Sequence, residues 1–143
     1  MRKRFSALLA LVALLVAPCA WADYFIVVND ANPVREMSQQ EVLHLFMGRA
    51  RQFPDGAAAV ACDLSGAALR DGFYRALSGM SPAQVTSYWA RLMFSGRSLP
   101  PQRLEDEAAM IEKVSRDTRA IGWLSNPPAQ KGLRTVLVLK TVP

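Results

Sequence analysis

The stretch Val60-Ala61-Cys62-Asp63-Leu64-Ser65-Gly66-Ala67-Ala68-Leu69-Arg70-Asp71-Gly72-Phe73-Tyr74-Arg75-Ala76-Leu77 decides the fold. A short apolar segment, Ala58 to Cys62, reads as a strand. It runs through a Ser-Gly turn into a helical pattern from about Gly66 to Leu77, with Leu69, Phe73, Ala76 and Leu77 on one face. A strand that feeds a helix through small residues aims free backbone N–H groups at one point, which suits an anion. In open α/β sheets ligands lie outside the carboxyl ends of strands, where this turn falls. The same turn also reads as an ordinary helix cap that binds nothing.

Outward from this unit, strand and helix patterns alternate. Tyr24-Phe25-Ile26-Val27-Val28 is a continuous apolar run and reads as a buried central strand. Asn29 to Pro33 supplies turn residues. Ser38 and Glu41 form a capping box, and Met37 with Val42 forms a hydrophobic staple. That helix buries Val42, Leu45 and Phe46 and stops at Gly48. Ser81-Pro82 opens a third helix with Val85, Tyr88, Trp89, Leu92 and Met93 on its inner stripe. Ser95 to Gln102 reads as a loop. A fourth helix, about Glu105 to Ser115, is acidic at its start and basic at its end, as the helix dipole prefers. Ala120 to Leu124 and Thr135 to Leu139 complete the strands. The expected fold is α/β, a mostly parallel sheet flanked by helices.

The first 22 residues read as a secretory signal peptide. Arg2, Lys3 and Arg4 precede an apolar run from Phe5 to Ala17, and Ala20-Trp21-Ala22 is a small-x-small cleavage pattern. Pro18 before Cys19 makes a poor lipid-attachment site. The mature chain, 23–143, is then one domain, expected in the periplasm, with no transmembrane segment.

Charge and chemistry exclude several classes. The chain carries 17 basic and 12 acidic residues, and three of the basic ones lie in the leader. The mature balance falls to +2, without a basic stripe interleaved with aromatics, so nucleic acid is not an expected partner. His44 is the single histidine and has no ligand partners at metal spacing; neither a metal nor a cofactor is expected. No catalytic triad can be assembled, so the chain does not read as an enzyme. Cys62 is the one cysteine of the mature chain, so no internal disulfide forms. It reads as a small buried residue or as a reactive thiol.

The candidate ligand-binding residues are the Ser65, Gly66 and Ala67 turn, Arg70 one helical turn on, and Asn29 at the end of the first strand. Arg70 reads either as a guanidinium folded back to the turn or as a solvated face residue. Arg97 reads as a cover over a cleft or as part of a surface loop.

Several elements occur in a recognisable order: Glu41-Val42-Leu43-His44-Leu45-Phe46-Met47-Gly48-Arg49, Ser65-Gly66 with Phe73 downstream, Tyr88-Trp89, Phe94-Ser95-Gly96 and Ala120-Ile121-Gly122-Trp123. Together they resemble the phosphate-binding-protein-like branch of the periplasmic solute-binding proteins, which serve ABC transporters. The resemblance implies a type 2 periplasmic binding protein fold. It also implies a small oxyanion ligand such as phosphate and a membrane transporter or sensor as partner. Two departures qualify it. The chain matches one lobe of a two-lobed architecture. The family's Arg-x-x-x-Ser-Gly-Thr turn has Ala61 at the Arg position and Ala67 at the Thr position. Each lost charge-assisted contact removes about 1.5–3 kcal/mol. An envelope adaptor that binds a protein partner instead of phosphate is the alternative.

Overall fold

The computed structural model describes residues 22–141, so most of the signal-peptide reading lies outside the described residues. In chain order the elements are β1 (Asp23–Asn29), α1 (Gln39–Phe46), β2 (Val60–Leu64), α2 (Ala67–Ser78), α3 (Pro82–Phe94), β3 (Gln102–Leu104), α4 (Glu107–Arg116), β4 (Ala120–Leu124) and β5 (Leu133–Lys140). They build an α/β domain around one five-stranded sheet of order β3-β2-β4-β1-β5. β2 runs parallel to both β3 and β4. β1 pairs antiparallel with β4 and β5, so four strands share one direction and β1 alone is reversed.

Local sequence signals set the helix starts. The Ser38 hydroxyl accepts from the Glu41 N–H while the Glu41 carboxylate accepts from the Ser38 N–H, closing the expected capping box. Met37 and Val42 are both buried, as a staple requires. Ser81 and Gln84 form a second capping box, with Pro82 in the first turn of α3. Asp106 caps α4 through the Ala109 N–H at 2.8 Å.

The centre of the domain is aromatic. Phe73 stacks on Trp123 at 4.5 Å with an interplanar angle of 8°. Phe46 and Tyr24 meet Phe73 edge-on, at 5.2 and 5.8 Å. Gly122, fully buried in β4, admits Met110 of α4 against the sheet; a Cβ there would overlap the Met110 Sδ. The strand Ile121-Gly122-Trp123 therefore uses glycine for a close helix and tryptophan for the opposite layer.

Four details differ from the sequence reading. β2 lies two residues later than expected, because Asp63 and Leu64 continue the ladder to β3. Gln102–Leu104 is a short edge strand rather than loop. Leu69, expected inside, is 42 % exposed, and Tyr74, outside the expected inner face, is buried. Met93, expected on the inner stripe of α3, is 52 % exposed.

Candidate functional site

At the carboxyl end of β2 the chain passes through Ser65 and Gly66 into α2, and Ser65 through Ala68 are exposed. The Ser65 N–H donates to the Leu104 carbonyl at 3.0 Å, which ties the turn to β3. Ser65 is not the cap. Gly66 occupies that position, with φ −64° and ψ 112°, and no side chain accepts from the first turn of α2. The leading N–H groups of α2, from Ala67 to Leu69, therefore face solvent uncapped, an arrangement that attracts negative charge.

The structure assigns Arg70 a different task from the one expected at the turn. Its Nε donates to Asp63 Oδ2 at 2.8 Å, and its guanidinium lies 4.9 Å from the Tyr74 ring centre. Asp63, fully buried in β2, is the hub of this region. Its Oδ1 accepts from the Leu64 N–H at 2.8 Å and from Trp123 Nε1 at 3.0 Å. Its Oδ2 accepts from Arg70 and from the Tyr74 hydroxyl at 2.9 Å. Four donors, one of them a guanidinium, satisfy a carboxylate that burial would otherwise penalise heavily. Burial, and then the neighbouring Asp63 charge, push the Tyr74 hydroxyl well above its usual range, so it stays a donor. The hub locks α2 onto β2 and β4 immediately beneath the turn. Arg70 thus fixes the turn's position and keeps only its remaining N–H groups for a ligand.

Asn29 is not at this site. β1 is reversed, and its Val28 lies opposite Ile121, which in turn lies opposite Ala61. Asn29 therefore falls level with the start of β2, with β4 between them, about 19 Å from Ser65 by strand rise and spacing. Its amide is fully employed there. Nδ2 donates to the Val114 and Ser115 carbonyls at 3.0 and 2.9 Å, capping the end of α4, and Oδ1 accepts from the Ala31 N–H.

A cavity of about 430 Å³ opens beside the turn, lined by Gly66, Leu64, Leu69 and the start of α4. Its α4 wall carries Glu105, Asp106 and Glu107. Asp106 is spent as the α4 cap, and Glu107 accepts from the Ser125 N–H and hydroxyl. This acidic wall opposes an anion at the uncapped helix start. A larger cavity, about 590 Å³, lies away from the turn along α4 and is lined by paired charges such as Lys113 and Asp117. Cys62 is fully buried, and burial raises its thiol to about 11, so it is a packing residue in the folded protein.

Among solved structures, two cover 81 % of this chain. One, from Clostridium perfringens, is assigned as a phosphate ABC transporter substrate-binding protein and holds bound phosphate. It matches with a TM-score of 0.63 at 15 % identity. The other, an ABC-type phosphate transport receptor from Vibrio cholerae, matches with a TM-score of 0.62 at 16 % identity. The chain has the fold of one lobe of these binding proteins. It spans 44 % and 46 % of their respective lengths. A third structure, from Planctomyces limnophilus and assigned as phosphate-binding, shares the fold at a TM-score of 0.52 and 13 % identity over 72 % of this chain and 36 % of its own. No protein-family model and no curated protein matches the sequence. Among the described residues of this lobe, no helix is long and apolar enough to cross a membrane, and no cluster of metal-ligating side chains occurs.

The sequence reading missed Asp63, Tyr74 and Trp123 as a unit. A signal was present: an acidic residue inside an apolar strand, followed by Arg and Tyr at i and i+4 on the next helix.

Proposed function

We propose that this lobe is an exported, periplasmic solute-binding protein of an ABC transport or sensing system. Its ligand is a small oxyanion such as phosphate, received at the Ser65–Ala67 turn. The observation that supports this reading is the uncapped start of α2, held at the carboxyl end of β2 by the Asp63–Arg70 pair. Ala61, Ala67 and the Glu105–Glu107 wall all reduce affinity for an anion, so binding to the isolated lobe is weak, in the millimolar range. Calorimetric titration with phosphate and sulfate tests the reading. Amide shifts of Ala67 and Ala68 under phosphate would localise the site, and no heat and no shift at millimolar ligand would refute it.

A second reading, an envelope adaptor for a membrane protein, draws on a different surface. At the end of α3, Phe94 is 97 % exposed and Leu99 is 79 % exposed, with Arg91 and Arg97 alongside. Burying a side chain the size of Phe94 under a partner contributes about 1.5–3 kcal/mol. A photo-crosslinking residue in place of Phe94 should capture one specific membrane protein in envelope preparations, whereas the same residue in place of exposed Asp55 should not. Equal capture from both positions would remove the adaptor reading.

A further inference from the structure

The end of α3 leaves large apolar side chains in water. Phe94 is 97 % exposed, Leu99 79 % and Met93 52 %. The backbone there is pinned. The Gly96 N–H donates to the Met93 carbonyl at 3.1 Å and the Arg97 N–H to the Leu92 carbonyl at 3.0 Å, with Gly96 at φ 67°. These two bonds close a Schellman turn, whose left-handed position suits glycine. In such a turn the residue after the glycine is commonly a hydrophobe that folds back onto the helix. Here it is Arg97, and the apolar side chains project outward instead.

Arginines surround the tip. Arg91 and Arg97 line a cavity of about 360 Å³ together with Tyr88, Leu92 and Ser95. The Arg49 guanidinium lies 6.0 Å from the centre of the Tyr88 ring, and Arg51 donates to the Arg97 carbonyl at 3.3 Å. All four arginines are exposed, and none makes an ion pair among the described residues. The hydroxyls of the cavity are already spent. Tyr88 donates to the Met47 carbonyl at 2.6 Å and Ser95 to the Leu92 carbonyl at 3.1 Å. The arginines are therefore the free donors there. They are also unopposed along the chain. Val42 to Pro54 and Gly72 to Leu104, which carry the end of α1 and all of α3, contain none of the 12 acidic residues. The small mature net charge conceals this, because the acids gather elsewhere, as at Glu105–Glu107.

The charge calls for an anionic partner, and the shape narrows it. A protein partner needs a matched pocket for each projecting side chain, and a standard protein interface takes roughly 800 Å² from each side, about 20–30 residues. A few apolar side chains within a ring of arginines fit a surface that yields to them. At a lipid interface apolar groups enter the acyl boundary while long cationic side chains reach the phosphates.

We propose that this tip docks the protein on a bilayer containing anionic phospholipid. Phe94, Leu99 and Met93 enter the interface, and Arg49, Arg51, Arg91 and Arg97 meet head-group phosphates. The surface lies apart from the oxyanion turn. Leu99 and Arg51 flank Ala59 and Ala61 at the start of β2, whereas the turn follows its last residue, so docking needs no phosphate at the turn.

Vesicle flotation tests this with the chain from Asp23 onward, which holds every described element from β1 to β5. The apolar leader is left out because it would bind lipid by itself. Vesicles of phosphatidylcholine mixed with an equal part of phosphatidylglycerol should float the protein, phosphatidylcholine alone should not, and sodium chloride should weaken the binding. Phe94→Ser should weaken it about tenfold, and Arg91→Gln and Arg97→Gln about fivefold each, all at unchanged melting temperature. Phe94→Trp keeps an aromatic ring, and its emission should move to the blue on mixed vesicles. Emission from Val138→Trp, on the edge strand β5, should not. The proposal is overturned if mixed vesicles do not float the protein, if phosphatidylcholine floats it equally, or if Phe94→Ser or the double arginine variant floats like the wild type. It is also overturned if inorganic phosphate displaces the protein more than chloride at the same ionic strength, which would mark a free-phosphate site. No flotation together with specific capture of a membrane protein at Phe94 would give the tip to the adaptor reading. Phosphate shifts at Ala67 and Ala68 report on the turn alone, so the two surfaces fail separately.

Discussion

Replacing Asp63 with Asn should destabilise the domain more than any conservative surface change, and the structure gives the size. The carboxylate accepts four hydrogen bonds and balances Arg70, whose side chain is 14 % exposed. Asn keeps one acceptor oxygen. If that oxygen stays with the Leu64 N–H and Trp123 Nε1, the amide NH2 confronts two donors, Arg70 Nε–H and the Tyr74 hydroxyl. Tyr74 can rotate its proton and accept; Arg70 cannot. Removing one partner of a buried pair costs about 3–5 kcal/mol, and the partial exposure of Arg70 lowers this to about 3. With an m-value of about 1.5–2 kcal/mol/M, the urea midpoint should fall by about 1.5–2 M at unchanged slope.

Two controls separate charge from geometry. Tyr74→Phe leaves Asp63 with three donors and should cost about 1 kcal/mol. Asp63→Asn combined with Arg70→Met removes the orphaned cation as well as the anion, and should recover part of the loss. The assay is urea unfolding of the wild type, these three variants and the Arg70→Met single variant by tryptophan fluorescence, since Trp123 reports directly on the hub. A cost below about 1 kcal/mol for Asp63→Asn, or a double variant as unstable as the sum of its singles, would refute the assignment of Asp63 as a charge-balanced hub.

Other consequences are measurable. Asn29→Ala should cost about 1–3 kcal/mol, because two α4 carbonyls lose their donor, while phosphate titration stays unchanged; a loss of binding at unchanged stability would contradict its placement. Gly122→Ala should cost about 1–3 kcal/mol by overpacking Met110, read as a lowered melting temperature. Cys62 should resist thiol reagents in the native state and react only on unfolding; rapid labelling at neutral pH would show the site to be open. Asp117 has its carboxyl held down to about 2 from 3.8, chiefly by its hydrogen bonds from Arg119. Its stabilisation, about 1 kcal/mol after solvent screening, is fully present above pH 4 and is lost as pH falls toward 2. The stability gap between wild type and Asp117→Asn should therefore close across that window.

The parts of this fold that were legible in the sequence are those written in a few neighbouring residues. The Ser38–Glu41 box, the Ser81-Pro82 start and the acidic opening of α4 each depend on contacts within one helical turn. The strands Tyr24–Val28 and Ala120–Leu124 showed through their apolar runs, since both are covered on two faces. β3 was hidden because three residues at a sheet edge carry no apolar pattern; only the β2 ladder makes them a strand.

The candidate site was legible in place and not in composition, for a reason that is itself physical. Strand direction is not a local property. Tyr24–Val28 reads the same whether it runs with β2 or against it, so nothing nearby could say that Asn29 emerges at the far end of the sheet. The pairing that reverses β1 joins residues nearly a hundred positions apart, such as Val28 and Ile121. Arg70 shows the same limit from the other side. Its spacing from the turn fits both a ligand contact and an internal ion pair, and the choice is made by Asp63, whose burial depends on Trp123 sixty residues away. A carboxylate that deep needs a cation more than an open turn does. The guanidinium that sequence offers to a ligand is therefore committed first to the core, and any oxyanion at Ser65–Ala67 must be held mainly by backbone N–H groups.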